Sequence, residues 1–297
     1  MKITLDPAMY YGTHSIHELP AKAASLGFEW IEVSPKDDFV PFFGLPRIDT
    51  SGLAILRKEL SDAGVGISSI LPLQRWSGPD EGQRQAAVRA WKRTIQIAVE
   101  LDVRVLNSEF SGRPEGAETA EGMFLRSMEE LLPIIECEGL TLVLEPHPDD
   151  FIEDGLAAVH AIRGLDSSHV KFQYCLPHTF HQGNNAKEII TLAGADCVSV
   201  HVADCFDHTI NNGLRYIVNP PGSNVRVHQH MELGHGDVAV DEAFSTLAEV
   251  GFDGSISSSV FGWDEVADEV NVRMLATIKD LVARHFPTDT TFETPTP

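Results

Sequence analysis

The stretch LVLEPHP sets Glu145 and His147 two residues apart, the spacing that turns both side chains to one side of an extended strand. VHVAD holds His201 and Asp204, NSEF holds Asn107 and Glu109, and WIEVS holds Glu32. YCLPHTF sets Cys175 three residues before His178. Buried carboxylates and imidazoles are costly unless paired or metal-bound. Gathered at one place, such groups would hold a divalent ion or move protons. Carboxylate and imidazole donors suit Mn, Zn, Fe or Co better than Ca. His147 is the candidate general base, because an ordinary imidazole titrates near neutrality. Structural alternatives stay open for each: Glu145 paired with Arg75 or Arg215, His201 a core histidine bonded to Asp204, His147 a packed ring.

The elements that must position these residues are legible in the periodicity. Candidate strands are KITLD, WIEVS, GISSILP, VRVLNSEF, TLVLEPH, VKFQYC, CVSVHVAD and GSISSSVF. Between them lie stretches such as QAAVRAWKRTIQIAVELD and FLRSMEELLPIIECEG, with apolar residues at helical spacing. This alternation predicts an α/β chain folded as a single-domain (β/α)8 TIM barrel over residues 1–286. A doubly wound sheet would place a Gly-rich turn after the first strand, and DPAMYYGTHS has none. The Pro- and Thr-rich residues 287–297 are expected to form a disordered tail. In a barrel the polar strand ends meet at one mouth, with Glu145 and His201 two strands apart. Long loops after strands 2 and 7 would frame that mouth.

The formal net charge of −22 disfavours a nucleic-acid partner. No apolar run approaches the roughly 20 residues of a membrane helix. The start MKITLDPAMYYG reads as a first strand rather than a signal peptide, so a cytoplasmic protein is expected. The four cysteines form no C-x-x-C pair, and reduced thiols are expected there.

These pieces together resemble the xylose isomerase-like TIM barrels, the superfamily of sugar isomerases, epimerases, inosose dehydratases and endonuclease IV. The matching motifs are LVLEPHP, CLPH for a D-x-x-H, VHVAD, LGHGDV and GFDGSISSSVF, and the resemblance spans about residues 2 to 284. It implies a metal site of Glu, Asp, His and Glu from strands 5 to 8. Glu145 and His201 stand at the first and third positions, but Cys175 and Ser259 stand at the second and fourth. Cys175 could ligate as a thiolate; Ser259 is a poor ligand. VRVHQHMELGHG resembles the D-x-H segment by which endonuclease IV binds a further zinc together with the strand-6 His. The resemblance therefore implies a shifted ligand set of Glu145, His178, His201 and His230. Mn is the first candidate metal, with Zn, Co or Mg as alternatives.

The same resemblance makes LRYIVNPPGSN a substrate-covering loop. Candidate substrate contacts are Glu32, Asn107, Glu109, Arg215, Asn219 and His228. NSEFSG, CLPHTFH and this loop also resemble an inositol-catabolism-associated branch and the large subunits of C-glycoside deglycosidases. The activity this implies is proton abstraction beside a carbonyl by His147, with Glu145 holding the ion. Loss of the last-strand Glu at Ser259 turns the expectation to a lyase on a keto sugar, glycoside or cyclitol. Isomerase or epimerase activity is the alternative, followed by a metal-free sugar-binding protein or a subunit needing a small partner. A homo-oligomer is also compatible.

Overall fold

A computed structural model describes residues 1–183, 185–206 and 230–295. The strands are β1 (Lys2–Leu5), β2 (Trp30–Val33), β3 (Gly66–Ile70), β4 (Val105–Glu109), β5 (Thr141–Glu145), β6 (Val170–Cys175), β7 (Cys197–Val202) and β8 (Ser255–Ser258). All pairings are parallel, and β8 closes on β1 to complete a barrel in sequence order. The helices are α1 (Leu19–Ser25), α2 (Thr50–Ala63), α3 (Glu81–Glu100), α4 (Ala117–Cys137), α5 (Gly155–Gly164), α6 (Leu176–His181), α7 (Ala186–Ala193), α8 (Val240–Glu249) and α9 (Ala267–His285). The expected (β/α)8 architecture is the one observed. Among the described residues no helix is long and apolar enough to cross a membrane.

Local chemistry explains where the elements start and stop. Asp49, Asp80 and Asp154 each accept a backbone N–H in the first turn of α2, α3 and α5, at 2.8 to 2.9 Å. These N-caps satisfy donors that the helix cannot. Gly64 ends α2 at φ 66°, a conformation cheap only without a Cβ. Leu142, Val143 and Leu144 are fully buried, as expected for a parallel strand covered on both faces.

Three features of the fold bear on the mouth. The register shifts between Ile31 and Glu32 and between Phe172 and Gln173. Each irregularity re-aims the side chain that follows it. The short helix α6 starts directly after β6, so His178 stands in its first turn, three residues beyond Cys175. The expected long loop after β2 is present as residues 34–49, and of the one expected after β7 the structure describes residues 203–206 and 230–239.

The described part of the tail makes contacts with the start of the barrel. The Glu293 N–H donates to Met1 O at 2.8 Å, and Trp30 Nε1 donates to Glu293 O at 2.8 Å. Backbone pairing and an indole donor thus hold residue 293 against the barrel end opposite the mouth.

Candidate metal centre

Glu145, the last residue of β5, is 2 % exposed and faces His201 on β7. Its Oε2 lies 3.1 Å from His201 Nδ1. Gln173 of β6 lies between them, its Nε2 donating to Glu145 Oε2 at 2.6 Å and 3.0 Å from His201 Nδ1. On the far side of the ring, His201 Nε2 donates to Glu32 Oε1 at 2.5 Å. Glu32 is held in turn by Ser69 Oγ at 2.6 Å and by a short bond from Asn107 Nδ2. Burial opposes charge on His201, but Glu32 and Glu145 raise its pKa well above the ordinary value. Burial likewise opposes charge on Glu145, yet His201 and His178 hold its carboxyl well below the usual range.

The second half of the cluster comes from α6 and from the chain returning to β8. His178 Nδ1 stands 3.5 Å from Glu145 Oε1, with no shorter hydrogen bond among the described residues, and the residue is 5 % exposed. His178 Nε2 is 3.0 Å from His230 Nε2, and Cys175 Sγ is 3.8 Å from the same His230 atom. His230 Nδ1 donates to Ser259 O at 2.6 Å, and its ring stacks on Phe261 at 4.4 Å and 16°. Asp204 anchors this return. Its carboxylate accepts the backbone N–H groups of Cys205, Gly234, Gly236 and Val238 at 2.9 to 3.1 Å. Asp204 and Met231 exchange backbone bonds of 2.8 Å, which fixes His230 one residue away.

These donors fit a divalent cation. Ser259 O accepts the Nδ1 proton of His230, which turns Nε2 inward toward His178. Glu32 accepts the Nε2 proton of His201, and Nδ1 faces Glu145 Oε2 at 3.1 Å, where a bound cation would take the place of the Nδ1 proton. A carbonyl or carboxylate behind each imidazole is the usual arrangement at metal-binding histidines. Two triads, Glu145–Cys175–His201 and Cys175–His178–His230, have ligand atoms all within 4.8 Å of one another.

A third group borders the site. His147 Nε2 is 3.6 Å from Glu109 Oε1, with side chains 19 % and 18 % exposed, so entering molecules reach them before the buried ligands. Asp150 completes the triad, its Oδ2 accepting the Ser111 N–H at 2.6 Å. Burial and the neighbouring Glu145 charge push the Glu109 pKa up to about 8. Burial and the Glu109 charge likewise raise Asp150. Burial lowers His147, leaving its imidazole neutral near pH 7. The ring packs edge-on against His178 at 4.5 Å.

Glu145, His178, His201 and His230 are therefore brought together, with His147 and Glu109 beside them. Glu32 and Asn107, expected to contact substrate, lie beneath His201 at 1 % and 0 % exposure, where Glu32 accepts from His201 and Asn107. Closure of the barrel stacks these β2 and β4 side chains under the β7 histidine. Arg215, Asn219 and His228 lie outside the described residues. The alternative partners are otherwise engaged: Arg75 stacks on Phe43 and donates to Gln83, and Asp204 takes backbone amides rather than His201. The sequence pattern did not single out Gln173, whose signal is its place two residues before Cys175 on the same strand face. It also did not single out Asp150 or the four-amide role of Asp204.

A family model described as Xylose isomerase-like TIM barrel matches residues 20–276. No curated protein matches the sequence. Among solved structures, a D-psicose 3-epimerase with D-tagatose from Clostridium cellulolyticum H10 is 17% identical, with 95% of this chain and 99% of that one covered at a TM-score of 0.76. The IolI protein with a binding zinc atom is 18% identical, with 97% and 100% covered and a TM-score of 0.76. A 3-keto-D-glucoside 4-epimerase from E. coli is 16% identical, with 94% and 99% covered and a TM-score of 0.72.

Proposed function

Because the chain belongs to the xylose isomerase-like TIM barrel family, we propose that it is a divalent-metal-dependent enzyme of the sugar isomerase or epimerase type. It takes a proton from the carbon beside a carbonyl of a small keto sugar or cyclitol. The observation that carries this reading is the contact chain His201–Glu145–His178–His230, at 3.1, 3.5 and 3.0 Å, beside the accessible His147 and Glu109. Glu145, His178, His201 and His230 would hold the ion, which when bound supplies Lewis-acid stabilisation of developing negative charge. Neutral His147 accepts the substrate proton on its imidazole. Glu109, mostly protonated near neutrality, carries a proton that can be returned to the carbon skeleton. Both groups stand on one side of the mouth. That favours removing and returning a proton on one face of the substrate, the course of an isomerisation rather than of an epimerisation. The proton taken by His147 passes to Glu109 across their 3.6 Å contact to reset the pair.

The order of readings expected from the sequence, lyase before isomerase, is reversed here. Solved neighbours that include a D-psicose 3-epimerase and a 3-keto-D-glucoside 4-epimerase support rearrangement of keto sugars more than elimination. One observation keeps β-elimination as a second reading. β8 ends at buried Ser258, followed by buried Ser259 at the position where the family pattern carries a carboxylate, and neither hydroxyl has a hydrogen-bond partner among the described residues. A two-sided epimerase needs a base on that face, whereas an elimination starting at His147 does not.

The test is hydrogen exchange. Keto sugars and keto-inositols incubated with the metal-loaded protein in deuterated water gain deuterium beside the carbonyl, and product analysis separates rearrangement from loss of a leaving group. His147→Ala abolishes the exchange while bound metal stays at the wild-type level. Loss of the metal in that variant would recast His147 as a ligand. Wild-type protein that neither binds an ion nor catalyses exchange would overturn the proposal.

A further inference from the structure

Cys175 stands where the resemblance places a carboxylate ligand, and the geometry puts it at the centre of the donor set rather than at its edge. It is fully buried at the end of β6, paired in register with His201. It belongs to both metal-competent triads of the buried cluster, and its sulfur lies 3.8 Å from His230 Nε2. The second observation is His178, 5 % exposed, whose Nε2 faces His230 Nε2 at 3.0 Å, while its Nδ1, 3.5 Å from Glu145 Oε1, has no hydrogen bond among the described residues. The spans match a tetrahedral ion. Bonds of about 2.3 Å to sulfur and about 2.0–2.1 Å to nitrogen imply S···N near ~3.6 Å and N···N near ~3.3 Å. The Cys175–His230 and His230–His178 separations are 3.8 and 3.0 Å, so each needs to shift by a few tenths of an ångström.

We infer that Cys175 is a thiolate ligand that joins His178 and His230 at the ion, making a sulfur- and nitrogen-rich site that selects zinc or cobalt over manganese or magnesium. The inference rests on the reading of this mouth as a metal centre, and it replaces the expectation of manganese. The thiol proton leaves to solvent as the sulfur–metal bond forms. Thiolate donors favour softer cations, whereas manganese and magnesium take carboxylate, carbonyl and water oxygens.

Cobalt(II) is the probe, because a cobalt–thiolate bond absorbs in the near ultraviolet by sulfur-to-metal charge transfer. The full chain loaded with cobalt shows this band, and so does the control Cys205→Ser. Cys175→Ser and Cys175→Ala bind cobalt by elemental analysis but lose the band. Under competition between zinc and manganese, Cys175→Asp lowers the zinc preference by at least about tenfold. Cobalt bound without the band in the wild type, or a band that survives in both Cys175→Ser and Cys175→Ala, overturns the thiolate assignment alone. Failure of the wild type to bind cobalt, zinc or manganese overturns both this inference and the metal-centre reading.

Discussion

Asp6→Asn tests whether the floor of the mouth stores an electrostatic cost. Asp6 follows β1 and is 1 % exposed; its Oδ1 accepts the Ala8 N–H at 3.0 Å and the Ser34 hydroxyl at 2.8 Å. Burial first, and the Glu32 charge second, raise its pKa from 3.8 to about 7. The direction follows from proton linkage. The folded state keeps a proton that the unfolded chain gives up, so stability falls as pH rises from the unfolded to the folded pKa. With 1.36 kcal/mol per pKa unit, the penalty is roughly 2 kcal/mol at pH 5 and roughly 4 kcal/mol at pH 8. Asparagine keeps the Oδ1 acceptor and puts an N–H₂ where the protonated acid carries its O–H. Asp6→Asn is therefore more stable than wild type, and the gap widens by roughly 2 kcal/mol between pH 5 and pH 8. Urea unfolding of both proteins at the two pH values measures it. A gap that is the same at both, or a variant less stable at pH 8, refutes the argument.

Two further outcomes concern the residues behind the histidines. Glu32→Gln weakens metal binding about 10- to 100-fold, because His201 loses the carboxylate that fixes its ring; competition with a chelator of known affinity measures this. Asp204→Ala removes the acceptor of four backbone amides and frees the segment that carries His230. It lowers both metal affinity and protease resistance around residue 234, whereas a purely local loop role would leave metal affinity unchanged.

The alternation of β-rich runs and amphipathic helices was enough to read the barrel from the chain, because side-chain periodicity is a local property. Glu145, His178, His201 and His230, the set the family resemblance implied, come together at the mouth. Strand-end position put Glu32 and Asn107 at the mouth without showing that they would lie beneath His201. A residue type at a strand end says that its side chain points into the barrel. It does not say how deep that side chain lies, which depends on the stagger of neighbouring strands and on irregularities such as the one before Glu32.

What the sequence alone determined was therefore the fold, the face of each strand and the chemical types gathered at the mouth. Tertiary structure decided which groups touch. Cys175 and His230 lie 55 residues apart along the chain, and they meet because Asp204 ties the returning segment to the end of β7. Glu32 and His201, separated by 169 residues, meet across the closed barrel. Contacts of that separation are set by strand register, barrel closure and loop anchoring together, and no local stretch of sequence encodes those terms by itself.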